Sequence, residues 1–206
     1  MKKISILMLA TAASAVLACS SDIAKYDVTG VNAPQEGAVV YLVDRILSAP
    51  IDSAVVAGGS FRMQGRTQKD AFLSVNFDDS WYFPLFNDGK PVRIDLADST
   101  VTGSPLNTKL SEWDKKDAAA YAEYSSFVEE FVSLPAAEQQ AREAEFIGQY
   151  EKRLQKYTDS FMGIIEENMD NLIPVAFISH VPSLDGKDKF EELVATDAPF
   201  AQHPYV

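Results

Sequence analysis

The spacing of the apolar residues changes once along the chain, at Thr102-Gly103-Ser104-Pro105, and this change divides the fold. Before it, apolar and polar residues alternate in short runs, as in β-strands. After it, apolar residues recur at every third or fourth position, as in amphipathic helices. The pattern predicts an α+β protein. An N-terminal antiparallel β-sandwich or small barrel spans residues 26–103, and a helical region packed on it spans residues 104–206.

Eight short β-strands are predicted in the first region. Three breaks rich in Gly, Asn and Asp are predicted to form tight turns of an antiparallel meander, at Gly58-Gly59, Asp78-Asp79 and Asn87-Asp88-Gly89. The second strand is apolar at every position up to Asp44, which predicts a central strand. The predicted strands are Tyr26–Val31, Ala38–Asp44, Ile51–Val56, Ser60–Gln64, Ala71–Phe77, Trp81–Phe86, Pro91–Leu96 and Thr100–Thr102.

The second region is predicted to form an antiparallel helical hairpin followed by two short helices. Ser104 is a suitable N-cap and Pro105 suits the first helical position. Pro135 separates the two long helices, because proline stops one helix and can start the next. The aromatic stripe of the first helix, from Trp113 to Phe131, offers more apolar surface than one partner helix covers. We therefore expect this stripe to dock partly on the sheet.

The N-terminal segment predicts where the protein is located in the cell. Lys2 and Lys3 precede an apolar run that ends at Leu17, and Ala18 precedes Cys19. Residues 1–18 therefore resemble a bacterial lipoprotein signal peptide, which is too short to span a membrane. The prediction is acylation of Cys19, a lipidated tether over residues 19–25, and a lipid anchor in the cell envelope, at the outer membrane.

Composition restricts the possible partners and chemistry. The net charge of −12 excludes nucleic acid as a partner, and it should repel anionic lipid headgroups, so membrane contact is assigned to the acyl chains. Cys19 is the only cysteine, and its acylation leaves no thiol for redox chemistry. We find no recognisable catalytic or nucleotide-binding motif, and the two histidines, His180 and His203, lack ligand spacing. We expect no enzymatic activity, cofactor or metal.

Two candidate sites remain in the strand region. Trp81, Tyr82 and Phe83 offer a possible stacking surface for a glycan or an apolar ligand, although adjacent aromatic residues on a strand alternate faces and at least half must enter the core. Asp52-Ser53-Ala54 and Asp98-Ser99-Thr100 resemble the pattern of bacterial envelope O-glycosylation, which makes Ser53 and Ser99 possible modification sites.

Five segments of the chain carry a family resemblance: Tyr26–Val31, Val40–Asp44, Pro50–Val56, Gly59–Gly65 and Val101–Asn107. Together they resemble a domain of unknown function that precedes thioredoxin-like modules in lipoproteins of the Bacteroidetes type. The resemblance implies a helical insert after the β-rich domain, and then a thioredoxin-like domain with its cysteines. The redox residues of that family match no position in this sequence, so no oxidoreductase activity is carried over.

Three hypotheses follow for the function. The first is a lipid-anchored, non-catalytic binding or spacer module with a possible protein partner in the envelope. The second is a truncated thioredoxin-like thiol-disulfide oxidoreductase that lacks its catalytic domain. The third is a lipoprotein that binds a glycan or an apolar ligand.

Overall fold

Two four-stranded sheets form the first part of the protein. The computed structural model describes residues 22–77 and 81–206, without the side chains of Trp81 and Tyr82. Sheet A has the order β4-β1-β7-β8 and sheet B the order β3-β2-β5-β6. The strands are β1 Ile23–Val31, β2 Val39–Asp44, β3 Ala49–Val55, β4 Ser60–Gln68, β5 Phe72–Phe77, β6 Trp81–Phe86, β7 Val92–Asp95 and β8 Thr100–Thr102. The predicted α+β class, with a sandwich before the helices, is confirmed.

The connections between the strands differ from the predicted meander. The chain passes between the sheets four times, and β1 pairs with β7 in parallel, with Val28 opposite Val92. Gly58 and Gly59 do supply positive φ values for a tight turn, but this turn joins β3 of sheet B to β4 of sheet A. The hairpin predicted at Asn87-Asp88-Gly89 is wrong for the same reason, since β6 and β7 lie in different sheets. A corner between sheets needs the same turn residues as a hairpin, so composition does not separate the two.

The inner faces of the two sheets enclose the first core. Val28 and Ile94 of sheet A meet Leu42, Leu73 and Val75 of sheet B, and all five are at most 1 % exposed. β2 is an interior strand of its sheet, as predicted from its apolar run. Its second face, however, is not buried, because Val39 and Tyr41 are 36 % and 40 % exposed.

The helices build a second core on the outer face of sheet B. α1 spans Pro105–Val132, α2 spans Ala136–Glu166, and two short helices, α3 at Val181–Leu184 and α4 at Lys187–Val194, follow. Segments of 3₁₀-helix lie at Ile173–Ala176, Ile178–His180 and Pro199–Gln202. Phe72 and Phe86 extend from β5 and β6 into this core, where they meet residues such as Leu110, Phe161 and Phe200. Sheet B is therefore the middle layer of three.

Polar side chains in the first turns of α1 bind the helix to both sheets. The Phe86 N–H donates to Asn107 Oδ1 at 2.7 Å, and Asn107 Nδ2 donates to the Phe86 carbonyl at 2.9 Å. The Val101 N–H donates to Ser111 Oγ at 3.2 Å, and Lys115 Nζ donates to the Asp98 carbonyl at 3.0 Å. Because these side chains satisfy backbone groups of the edge strand β6 and of β8, the start of α1 has a fixed position.

The rest of the helical hairpin extends beyond the core. Leu110 and Thr158 are buried, but no residue between 111 and 157 is. The expected docking of the aromatic stripe on the sheet is wrong beyond Trp113, because Tyr121, Tyr124, Phe127 and Phe131 contact aromatic residues of α2 instead. We call residues 111–157 the helical arm. No helix in the described part of the chain combines the length and the apolar character needed to cross a membrane.

Candidate functional site

A broad groove lies on the protein where β1 begins, and three cations line it. Lys25 of β1 and Arg66 of β4 are directly opposite each other in the antiparallel register. Lys90 enters from the segment between β6 and β7. The groove has a volume of about 520 Å³ and also contacts Tyr26, Gln64 and Gly65. We call Lys25, Arg66, Lys90 and the surface between them the basic groove.

A buried asparagine fixes the segment that carries Lys90. Asn87 is 3 % exposed, and its Nδ2 donates to the Gln68 carbonyl at 3.0 Å, with longer contacts to the carbonyls of Thr67 and Ala24. Its backbone N–H donates to the Ala71 carbonyl at 3.0 Å. The end of β4, the start of β1 and the loop after β6 are therefore joined by one side chain, which positions all three cations.

Tyr26 forms the wall of the groove toward the core. A side chain at position 65 would overlap the Tyr26 hydroxyl, so Gly65 leaves the space that the ring needs. The Tyr26 hydroxyl donates to Asp52 Oδ2 at 2.9 Å, which connects sheet A with the edge strand of sheet B. Burial, reinforced by this hydrogen bond and by the Asp52 charge, raises the pKa of Tyr26 from 10.0 to about 12.

The carboxylates nearest to the basic groove are occupied by other groups. Asp27 forms an ion pair of 2.6 Å with Arg62 and accepts a hydrogen bond from Gln64, and the hydrogen bond from Arg62 is the main reason that the pKa of Asp27 is lowered. Asp88 accepts from the Ser104 hydroxyl and from the Lys90 N–H. Lys25, Arg66 and Lys90 have no ion-pair partner among the described side chains. The arrangement can bind an anion without breaking an ion pair.

The helical arm provides a second candidate surface. Stacked rings hold its two helices together, with centroids of Phe131 and Phe146 3.8 Å apart and those of Phe127 and Phe146 5.1 Å apart. The Tyr124 and Tyr150 hydroxyls are 3.0 Å apart, in a hydrogen bond. A groove of about 190 Å³ near the tip is lined by these phenylalanines and by charged residues of both signs.

Comparison with known protein families gives a match over the strand region and the first turns of α1. Residues 26–110 match the family model described as domain of unknown function (DUF4369). The predicted resemblance to a domain of unknown function is thereby supported. Searches of curated proteins and of solved structures found no significant match.

The DUF4369 segment ends at Leu110, the residue at which α1 leaves the core. It includes the basic groove except Lys25, one residue before the match. It also includes Asn107, whose side chain caps the edge of sheet B. The helical arm lies outside the match. Residues 158–206, which return to the second core, also lie outside the match.

Of the residues predicted from the sequence as sites, the structure describes Phe83, Ser53 and Ser99, which lie in three different strands or turns. Cys19 lies outside the described residues, as do the side chains of Trp81 and Tyr82. Phe83, within the DUF4369 segment, is 6 % exposed and lies between the two sheets, as expected for one member of an aromatic run that alternates faces. Ser53 is exposed on the edge strand β3, and Ser99 is exposed in a turn with a φ of 55°. Modification of both serines stays a prediction.

The two histidines have different surroundings. His180 is exposed. His203 is buried beyond the DUF4369 segment, where its Nδ1 accepts from the Tyr205 N–H and its Nε2 lies 3.0 Å from the Asp70 carbonyl. These contacts make His203 a structural clamp between the C-terminal segment and the β4–β5 turn. Within residues 22–77 and 81–206, no three His, Cys, Asp or Glu side chains cluster as a metal site would require.

The basic groove was not predicted from the sequence. Its cations lie at positions 25, 66 and 90, and only the register of β1 with β4 and the loop held by Asn87 bring them together. One signal was present, since Arg62, Gln64 and Arg66 alternate with apolar residues and indicate a solvated face.

Proposed function

We propose that this protein is a lipid-anchored, non-catalytic module of the cell envelope, at the outer membrane, which holds the helical arm toward a protein partner. The observation that carries the proposal is the arm itself. Residues 111–132 and 136–157 form helix, and no residue from 111 to 157 is buried, although Trp113 and Tyr157 at the base of the arm pack partly against the second core. The two helices of the arm are held together by contacts with each other, and their outer sides remain exposed. An exposed surface of this kind is typical of a binding or spacer module.

The arm has the properties of a presented surface. Beyond Leu110, α1 continues for 22 residues, which is about 33 Å of helix at the usual rise of 1.5 Å per residue. Large apolar side chains point outward on it, with Val132, Tyr121 and Ile147 66 %, 53 % and 48 % exposed. We call the described residues outside the arm the body. Asn107, Ser111 and Lys115 bind the start of the arm to the body, so the body sets the direction of the arm.

The anchor is tested through Cys19. The wild-type protein should fractionate with membranes and carry lipid mass on its N-terminal peptide, while Cys19→Ala should be released or remain as uncut precursor. Intact mass spectrometry of the purified protein distinguishes these states. A Cys19→Ala protein with the same lipid mass as wild type would contradict the anchor.

Binding by the arm is tested with a photo-crosslinking amino acid in intact envelopes. Placed at Val132 or Ile147, it should give a discrete crosslinked protein species, since both side chains are exposed on the arm. Leu47, which is 69 % exposed on the β-sandwich, is the matched control and should give none. The same pattern from all three positions, or no product from the arm, would remove the binding role and leave a spacer.

A second candidate function is supported by the DUF4369 match. The resemblance described above implies that such a domain precedes a thioredoxin-like module, which would make this chain the anchor and spacer of a thiol-disulfide oxidoreductase. Sequencing the genomic region downstream of Val206 tests this. A reading frame that continues, or resumes after a frameshift, into a C-x-x-C domain supports it, and unrelated sequence contradicts it.

A further inference from the structure

We propose that the basic groove rests on the anionic phospholipid headgroups of the membrane that holds Cys19. This proposal depends on the lipid anchor of the proposed function and adds an orientation to it. Lys25, Arg66 and Lys90 would contact lipid phosphates, and the helical arm would point away from the membrane.

The first argument is proximity. Lys25 lies six residues after Cys19, so the two Cα atoms are at most about 20 Å apart even in a fully extended chain. β1 begins at Ile23, so only residues 20–22 separate it from the acylated residue. A domain on so short a tether has few surfaces that can reach the membrane, and the end of sheet A where β1 begins is one of them.

The second argument is charge segregation. Residues 104–206 contain 19 acidic and nine basic residues, whereas residues 22–103 contain 11 acidic and seven basic ones. The helices thus carry most of the negative charge that was expected to repel anionic lipids. A negative surface attracts the basic groove and repels the helical region, and both forces turn the molecule in the same direction. The negative charge of the protein therefore orients it on an anionic membrane, with the basic groove toward the lipids.

The third argument is the chemistry of the groove. Arg66 can bind phosphate oxygens with two parallel N–H donors, while Lys25 and Lys90 supply point charges. These cations have no ion-pair partner among the described side chains, so contact with phosphate displaces only water and counterions. Asp27 also lines the groove, but its carboxylate is paired with Arg62 and accepts a hydrogen bond from Gln64.

The test measures how close the groove lies to the headgroups. Lipidated full-length mature protein is placed in vesicles of phosphatidylcholine, with or without phosphatidylglycerol. Gln68→Cys adds a single labelling site beside Arg66, because the sulfur of Cys19 is consumed by the lipid, and Gln140→Cys on α2 is the distant control. Energy transfer from each label to a headgroup acceptor should be strong at position 68, weak at position 140, and dependent on phosphatidylglycerol. High salt should reduce it by screening.

The variants separate the groove from general attraction. Each basic residue at an anionic surface changes a partition ratio by roughly fivefold, so changing Lys25, Arg66 and Lys90 together to Gln should lower the ratio of groove-facing to other orientations about 100-fold. The matched control changes Arg142, Lys152 and Lys187 on the helices to Gln and should not lower the transfer at position 68. Thermal unfolding checks that both triple variants fold as wild type.

The outcomes distinguish this proposal from the anchor. If mass spectrometry shows lipid on Cys19 but transfer at position 68 is equal in neutral and anionic vesicles, the groove proposal is overturned and the anchor stands. Equal loss of transfer in both triple variants also overturns it. If Cys19 carries no lipid, both fail together.

Discussion

At the scale of single residues, two buried asparagines join parts of the chain that no strand or helix joins. Asn87 ties three strand ends together, and Asn107 completes the edge of sheet B from α1. Asparagine suits both positions because its short side chain carries a donor and an acceptor. The sequence indicates Asn87 as a turn residue, but its partners follow only from the fold.

Replacing Asn107 tests how much this edge cap contributes. In Asn107→Ala, the Phe86 N–H and carbonyl both lose their partner in a fully buried position, so the free energy of unfolding should fall by about 2–4 kcal/mol. Urea denaturation followed by circular dichroism measures this. Lys109→Ala, an exposed change in the same turn, should cost less than about 0.5 kcal/mol. Similar values for the two variants would refute the capping role.

The Tyr26 hydroxyl predicts a dependence of stability on alkaline pH. Its pKa is raised from 10.0 to about 12 in the folded protein, so between these values the unfolded chain loses the proton first. The free energy of unfolding should therefore decrease as the pH rises from about 10 to 12. Tyr26→Phe should make this decrease shallower. The remaining slope should come from other tyrosines such as Tyr124, which is partly buried and whose pKa is also raised to about 12.

Urea titrations of both proteins at several pH values in that window measure the two slopes. Tyr41→Phe is the control, since Tyr41 is 40 % exposed. Equal slopes for wild type and Tyr26→Phe would show that this hydroxyl is not the group responsible.

At the scale of elements, the strands could be predicted because their alternation is a local signal, and all eight predicted strands exist. The connections could not, because Gly58-Gly59 and Asn87-Asp88-Gly89 satisfy a corner between sheets as well as a hairpin. The arm is a second case in which a local pattern does not identify the partner. An aromatic stripe predicts a partner, but tyrosine and phenylalanine rings from α2 meet that need without the sheet.

The arm should open locally at lower free energy than the body, because it contains no buried residue. Phe146→Ala removes the ring that stacks on Phe127 and Phe131. It should lower the free energy of local opening of residues 111–157 by about 1–2 kcal/mol, and their hydrogen exchange should therefore be faster. Mass spectrometry of exchanged peptides measures this region by region. Ile147→Ala, at the neighbouring and more exposed position, should have a smaller effect. Equal acceleration of the sandwich strands would contradict a separate opening of the arm.

At the scale of the whole molecule, sheet B makes one cooperative unit out of two cores. Phe72 faces the helices while the adjacent Leu73 faces sheet A, and Phe86 and Leu85 divide in the same way. Because side chains alternate along a strand, β5 and β6 each contribute residues to both cores. If the helical segments of the second core unfolded, the outer face of sheet B would be exposed to water.

Phe72→Ala should consequently destabilise the whole protein. The ring is 1 % exposed and packs on Phe86 and Tyr205, so its removal should cost about 3–5 kcal/mol and lower the melting temperature in a single transition. Val55→Ala, at a side chain that is 59 % exposed, should change stability by less than about 0.5 kcal/mol. Calorimetry distinguishes the outcomes, and two separate transitions in Phe72→Ala would show that the cores unfold independently.

The parallel pairing of β1 with β7 sets the order in which the molecule can be completed. The neighbours of β1 are β4 and β7, which begin 37 and 69 residues later in the chain. During synthesis, the first strand therefore emerges with both edges unpaired and must wait for most of the sandwich. Such contacts between distant parts of the sequence form slowly. For that interval, the segment beside Cys19 is the one most exposed to proteases, to chaperones and to pairing with the wrong strand.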